Sequence, residues 1–287
     1  MTLAEMSPGD QVKIPMYQGK DENGGEIWKD TAFIVVQQGK PATAYDDSFL
    51  AGTVLMQGGK SGFYRQKLLE HSNTGKQGQK CDYSKTCAHQ TYLAAGGAYE
   101  QLLDPAVAAQ VRTVCIPYRS GTSGNTVKYT LEAKYWLPSA VEVARVGGED
   151  RDAAEEDEIY VQEGARFALF AGKTLSFYDQ WQVDNPNDGL DFWFTRTPAE
   201  SEGSTGFYAV DELGRVSPAE SGEYAVRVCM VLPGNARVGS SGHLHFGTSV
   251  PVRQEGVWKS GVNFCRIDGV WREVSGVSCK IDGVWKA

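Results

Sequence analysis

Oxygen-bearing side chains able to hold a cation are densest in the run Asp184-Asn185-Pro186-Asn187-Asp188-Gly189-Leu190-Asp191. Calcium takes about six to eight oxygen ligands from carboxylates, amides and carbonyls, and Asp184, Asn187, Asp188 and Asp191 are groups of that kind. Pro186, however, stands where a helix-loop-helix calcium loop needs its third ligand, and no glutamate follows at the closing position. The run therefore reads as an Asx-rich turn into the aromatic stretch Phe192-Trp193-Phe194, with calcium as the alternative and no other cofactor expected.

Other reactive residue types are spread thinly. Nucleophilic hydrolysis needs a serine or cysteine beside a histidine, and the 4 histidines are His71, His89, His243 and His245. His243 and His245 share one face of a short strand but have no third ligand in view, so they read as a solvent-facing pair. Ser139 and Glu142 have the spacing of a catalytic couple, yet a helix capping box explains them at lower cost. The acidic run from Glu149 to Glu158 reads as a solvated insertion loop. The 6 cysteines (Cys81, Cys87, Cys115, Cys229, Cys265, Cys279) fit no zinc spacing and are too sparse for a disulfide scaffold. Free thiols are the default, with a Cys81–Cys87 bridge as the alternative. No Gly-x-Ser-x-Gly elbow, phosphate loop or dinucleotide fingerprint is present. A paired-carboxylate glycosidase depends on a carboxyl separation that sequence does not give. The expectation is a protein that is not an enzyme.

The elements that would position these groups are mostly short β runs. Gln11 to Tyr17 alternates, Lys20 to Glu26 carries the Asn-Gly and Gly-Gly pairs of a tight hairpin, and Thr31 to Gln38 returns. Gly52 to Gln57 is a further strand. Asp104 caps a helical turn opened by Pro105, and Gly164 to Phe170 reads as a short helix burying Phe167 and Phe170. Three strands close the module: Asp191 to Pro198, Phe207 to Val216, and the apolar run Tyr224 to Leu232. Arg196 and Arg227 sit inside those runs, where an unpaired guanidinium is costly, so each should meet carboxylates or carbonyls as a structural anchor.

Length and charge bound the class. A chain of 287 residues with 41% hydrophobic content builds one large core with an appendage, or two modest domains. Its formal net charge of -8 disfavours nucleic acid and anionic lipid as partners. Neither a bilayer-length apolar run nor a signal-peptide pattern is visible, so a protein made in a cytoplasm, without membrane insertion, is expected.

The end of the chain repeats itself. Gly256-Val257-Trp258-Lys259, Gly269-Val270-Trp271-Arg272 and Gly283-Val284-Trp285-Lys286 recur behind the Gly239-Ser240-Ser241-Gly242 segment, which reads as a flexible linker. Each unit reads as a hairpin, two of them turning on Asp-Gly. Units this small cannot bury their own tryptophans. Trp258, Trp271 and Trp285 therefore read as oligomerisation contacts, with a carbohydrate-binding strip as the competing reading. The expected division is 1–238 and 239–287.

The order Trp193-x-x-Arg196-x-Pro198, a strand ending in Gly214, and Val226-Arg227-x-x-x-Val231-Leu232 resembles the C-terminal half of an uncharacterised domain family from gut bacteria and their phages. Its members read Trp-Trp-Leu-Arg-Ser-Pro and Gly-Val-Arg-Pro-Ala-Leu. The likeness extends back through Tyr45-Asp46-Asp47-Ser48 and Lys134 to Val143, and departs from the family pattern at Thr197 and at Cys229-Met230. That end resembles in turn the C-type-lectin-like fold of formylglycine-generating enzymes and phage display proteins. The resemblance implies an α+β, C-type-lectin-like domain of mixed short strands and two or three helices, followed by a small all-β hairpin-repeat region. Calcium, where such domains bind it, lies near the Asp184 to Asp191 turn. The expected role is a virion protein of a phage tail tip or fibre that recognises a host-surface glycan or protein through Tyr178, Trp181, Asn185, Asn187, Asp188 and Trp193. Its expected partners are two further copies in a trimer and other tail proteins. The alternative is a purely structural tail or capsid part. Formylglycine chemistry needs paired thiols, and Cys229 has no partner near it in sequence.

Overall fold

The computed structural model describes residues 1–58, 82–119, 128–143, 163–171, 193–201, 204–210, 216–219 and 225–246, and the strand residues 250–254, 257–261, 264–267, 270–273, 279–281 and 284–286. The chain forms two compact units, Met1–Leu244 and His245–Ala287. The boundary falls beyond the expected 238/239 junction because the Gly-Ser segment is a turn docked on the first strand. Gly242 N–H donates to Gly239 O at 3.0 Å, and Lys13 N–H donates to Gly242 O at 2.8 Å.

Within the first unit, β1 (Gln11–Lys20) and β2 (Glu26–Gln38) form an antiparallel hairpin. Its turn is tied by Asp21, whose Oδ1 accepts from Asn23 N–H at 2.8 Å and Gly25 N–H at 2.7 Å. Gly24 there has φ +81°, the left-handed backbone a glycine adopts without a Cβ penalty. β3 (Gly52–Gln57) pairs with β2, β4 (Val114–Arg119) with β5 (Lys128–Ala133), and β6 is Tyr135–Trp136. β7 (Trp193–Ser201), β8 (Ser204–Val210) and β9 (Val216–Ala219) form an antiparallel meander, and β10 (Ala225–Val226) lies parallel to β7. β11 (Cys229–Pro233) then joins the other sheet, giving the order β1-β2-β3-β11-β6. The apolar run from Tyr224 to Leu232 is thus two strands in two sheets, joined at Arg227 and Val228.

The expected α+β, C-type-lectin-like architecture with two or three helices is overturned: the fold is mostly β-sheet, and the helical segments among the described residues are short. The helical pieces stop for local reasons. The run from Thr91 to Leu103 breaks into a π turn (Ala88–Tyr92) and α1 (Ala98–Leu102), because Gly96 takes φ +73° between them. α2 (Pro105–Ala108) is capped by Asp104, whose Oδ1 accepts from Ala106 N–H at 2.8 Å, but ends after 4 residues. α3 is described over Ala140–Val143.

α3 nevertheless holds the centre. Ser139 and Glu142 form the capping box, with Ser139 N–H donating to Glu142 Oε2 at 2.7 Å and Glu142 N–H to Ser139 Oγ at 3.3 Å. Arg196 reaches that carboxylate from β7 because the strand bulges. Phe194 pairs with Ala209 and Pro198 with Phe207, so Thr195, Arg196 and Thr197 together face Tyr208 alone. Such a bulge re-aims a side chain, and here it turns Arg196 into the core. The fork is bidentate, Nη1 to Oε2 at 2.7 Å and Nη2 to Oε1 at 2.9 Å. Nη1 also donates to the Leu137 carbonyl at 3.0 Å, and Nη2 to those of Pro117 at 3.1 Å and Glu163 at 2.9 Å, while the buried Nε–H has no hydrogen-bond partner among the described residues. The Tyr45 hydroxyl donates to Glu142 Oε1 at 2.6 Å. Gly164 passes directly over that hydroxyl, where a Cβ would come within 2.3 Å of the oxygen, and its φ of +132° suits glycine alone.

Both members of this pair are fully buried. Burial alone would lower the Arg196 guanidinium, but the Glu142 charge overrides it and the pKa is raised. Breaking a buried pair by removing one partner typically costs about 3–5 kcal/mol, since it leaves a buried charge uncompensated. Arg196→Met should lower the unfolding free energy by roughly that amount in a denaturant titration, and adding Glu142→Gln should recover part of it. A loss no larger than that of a surface substitution would show the pair to be dispensable.

A pH dependence follows from two buried phenols. Burial, and for Tyr45 also the Glu142 charge, raises the pKa of Tyr45 and Tyr83 above the ordinary value of about 10. The folded state keeps both protonated where the unfolded state releases them. Their contribution is complete below about pH 10 and is lost as pH rises beyond it. Stability should fall above that pH, and ultraviolet titration should show these tyrosinates appearing together with unfolding.

Candidate functional site

The hairpin β1–β2 has one buried and one open face. On β1 the even positions Val12, Ile14 and Met16 are buried, while the odd positions Lys13, Pro15 and Tyr17 face outward. β3 pairs with β2 only over Phe33–Gln38, so Glu26 to Ala32 continue as a two-stranded arm paired with β1. Of the described large apolar side chains, Met1, Ile27, Trp28 and Leu50 are exposed, and two of these 4 lie on the arm.

Register brings Trp28 opposite Tyr17 and Asp30 opposite Pro15, all on the open face. The rings of Tyr17 and Trp28 stand 5.5 Å apart and 59° from parallel. Trp28 Nε1–H donates to Glu26 Oε2 at 3.1 Å, which fixes the indole while leaving the side chain 39% exposed in residue terms. Asp30 Oδ2 lies 2.9 Å from His243 Nε2, and His243 Nδ1 lies 2.9 Å from Ser241 Oγ. The docked Gly-Ser turn therefore brings His243 back over β2, from a segment 213 residues away in sequence.

Ser241, His243 and Asp30 are the residue types of a hydrolase triad, in hydrogen-bond contact. The surroundings lack what that chemistry needs. His243 and Asp30 side chains are 30% and 46% exposed, so water screens the couple. Two amides of the turn are already spent, Gly239 N–H on His243 O at 3.0 Å and Gly242 N–H on Gly239 O at 3.0 Å. They cannot form an oxyanion hole. The cluster acts as a clasp that docks the turn on the arm. Cys115 is no better a nucleophile, since burial and the Asp46 carboxylate push its thiol up to about 11. Cys87, Cys115 and Cys229 are free, so Cys87 forms no bridge to Cys81.

Of the expected contact residues, Trp193 is 2% exposed and packs beneath Arg227, whose guanidinium carbon is 5.2 Å from the ring centroid. Burial pushes Arg227 down to about 9, which leaves it cationic at neutral pH. Its Nη1 donates to Gln57 O at 3.4 Å. Trp193 is thus part of the interior beside an anchoring arginine. Tyr178, Trp181, Asn185, Asn187 and Asp188 lie outside the described residues, as do the cation candidates Asp184 and Asp191 and the acidic run from Glu149. Among the described residues no cluster of His, Cys, Asp and Glu is arranged to hold a metal, and no helix is long and apolar enough to cross a membrane. Sequence reasoning missed Tyr17, Trp28 and Asp30 as surface groups. The signal was there, since alternating positions opposite a hairpin turn share a face, but the partner His243 was not readable.

The domain family DUF6273, a domain of unknown function, matches residues 59–234, well over half of the chain. No curated protein and no solved structure matches. The matched region begins after β3, so β11 lies inside it while β3, its ladder partner from Gly52 to Gln57, lies outside. The open face of β1–β2 likewise precedes the matched region.

If the Ser241–His243–Asp30 cluster is only a clasp, Ser241→Ala should leave hydrolysis of an activated ester such as p-nitrophenyl acetate at the background of the intact protein. A Ser241-dependent turnover would contradict it.

Proposed function

We propose that this chain, which belongs to the DUF6273 family, is a virion protein of a phage tail tip or tail fibre whose first unit is displayed for recognition of a bacterial host surface. The observation that carries this reading is the construction of the second unit. Its described strands form three two-stranded hairpins: Val250–Gln254 with Val257–Gly261, Phe264–Ile267 with Val270–Glu273, and Cys279–Ile281 with Val284–Lys286. All three share one register. Trp258 is paired with Arg253, Trp271 with Arg266 and Trp285 with Lys280.

An isolated two-stranded hairpin is marginal in water. A thrice-repeated hairpin with a tryptophan at the same register is a module that needs a neighbour, and copies of itself or an adjoining tail protein would supply one. The charge agrees with a docking role. From His245 onward there are 6 Lys and Arg against 4 Asp and Glu, a basic segment in a chain of net charge -8. The first unit supplies what display requires, a rigid core with open positions at its margin. A purely structural part without its own ligand is favoured by one observation, the burial of Trp193.

Light scattering of the full chain should give a homotrimer, and residues 1–244 alone should be monomeric. An antibody to the first unit should label the tails of particles from a bacterium carrying the coding sequence. An unchanged oligomer without the second unit, or unlabelled tails, would remove this reading.

A further inference from the structure

The open face of the β1–β2 arm carries a small cluster that the family match does not cover: Tyr17, Trp28, Glu26, Asp30, His243 and Ser241. We propose that it is a sugar-binding site that takes an uncharged pyranose of a surface glycan. The proposal rests on the host-recognition reading above and names the ligand chemistry for it.

Three observations converge. The first is a fixed, exposed aromatic surface. Trp28 is held by its own N–H bond to Glu26 and is flanked by Tyr17 at 5.5 Å, so its exposed indole costs little further ordering on binding. The C–H face of a pyranose is a flat apolar surface that packs on such a ring. The second is a polar rim at the right distance. Asp30 is two residues along the same strand, so its Cβ lies about 7 Å from that of Trp28 on the same face, within reach of the hydroxyls of a sugar seated on the indole. Asp30 Oδ2 is oriented by His243 Nε2 at 2.9 Å, and its side chain remains 46% exposed, which leaves lone pairs for hydroxyl donors. Ser241 adds a hydroxyl beside it, while both ring nitrogens of His243 are spent on Ser241 and Asp30.

The third is charge. Two aromatic rings beside carboxylates also suit an organic cation. Here the Glu26 carboxylate accepts the indole N–H and the Asp30 carboxylate is engaged by His243, while Lys13 lies on the same face. With Glu26 spent on the indole, one Asp30 oxygen shared with His243 and a lysine alongside, the face favours a neutral polyol over an ion of either sign.

The test uses the full chain on an array of neutral and anionic oligosaccharides, with choline as a soluble competitor. The intact protein should bind neutral glycans. Trp28→Ala should reduce binding at least tenfold, and Asp30→Asn, which keeps both rings, should reduce it several-fold. Both variants should melt within a few degrees of the parent, as shown by circular dichroism. Binding confined to anionic glycans, displacement by choline, or equal binding by both folded variants would overturn the site. The last result would leave recognition to other residues. Failure of the parent to bind any glycan would also overturn it, and the tail labelling and oligomer measurements would then decide separately whether the virion reading stands.

Discussion

A single carboxylate, that of Glu142, constrains more of this fold than any other group. Each of its oxygens accepts two hydrogen bonds: Oε1 from Tyr45 and Arg196, Oε2 from Arg196 and Ser139 N–H. A carboxylate has about four lone-pair directions, so the group is saturated. It ties together the loop before β3, the short helix α3 and the bulged strand β7. None of these is long enough to be stable by itself. A desolvated charge pair tolerates few alternative arrangements, because any shift that breaks one of these bonds leaves a charged group unsatisfied.

The second constraint is the change of sheet at Arg227. Ala225 and Val226 pair with β7, while Cys229 to Pro233 lie between β3 and β6. The chain therefore stitches the two sheets together within a few residues, with the guanidinium held over the Trp193 ring at the crossing. Because β3 is one of the flanking strands, the first 58 residues complete the sheet that β11 enters. The family-matched segment alone lacks that partner and would expose one edge of β11, an open ladder of the kind that invites aggregation.

The same hairpin that contributes to this sheet extends past it. Where β3 no longer covers β2, the strand loses its second neighbour and its side chains become exposed, Ile27 by 43% and Trp28 by 39%. The contrast between the buried Glu142–Arg196 pair and the open arm is what makes the arm the best-defined candidate for contact. The Glu142 carboxylate inside is fully spent, and the groups on the arm are held in place yet still reachable.

Much of the local structure was legible. The Asn-Gly hairpin, the Asp104 cap, the Ser139–Glu142 capping box and the inward Phe167 and Phe170 follow from short-range rules that act within a few residues. The residue types of the two buried arginines were equally informative, since a guanidinium inside an apolar run must find acceptors. What sequence could not supply was the choice of partner. Glu142 read as a helix cap and is also the counter-ion of Arg196, 54 residues away. The run from Tyr224 read as one strand and is two, because neighbours on either side decide which sheet a segment joins. The expected lectin-type architecture was overturned because the described helical segments are single turns, with Gly96 separating two of them, and β pairing builds the core. Spacing and residue type alone determined the turns, the caps, the repeat and the need for buried counter-charges. Tertiary structure decided which distant groups meet, because pairing across a sheet or through a bulge depends on contacts that no local pattern encodes.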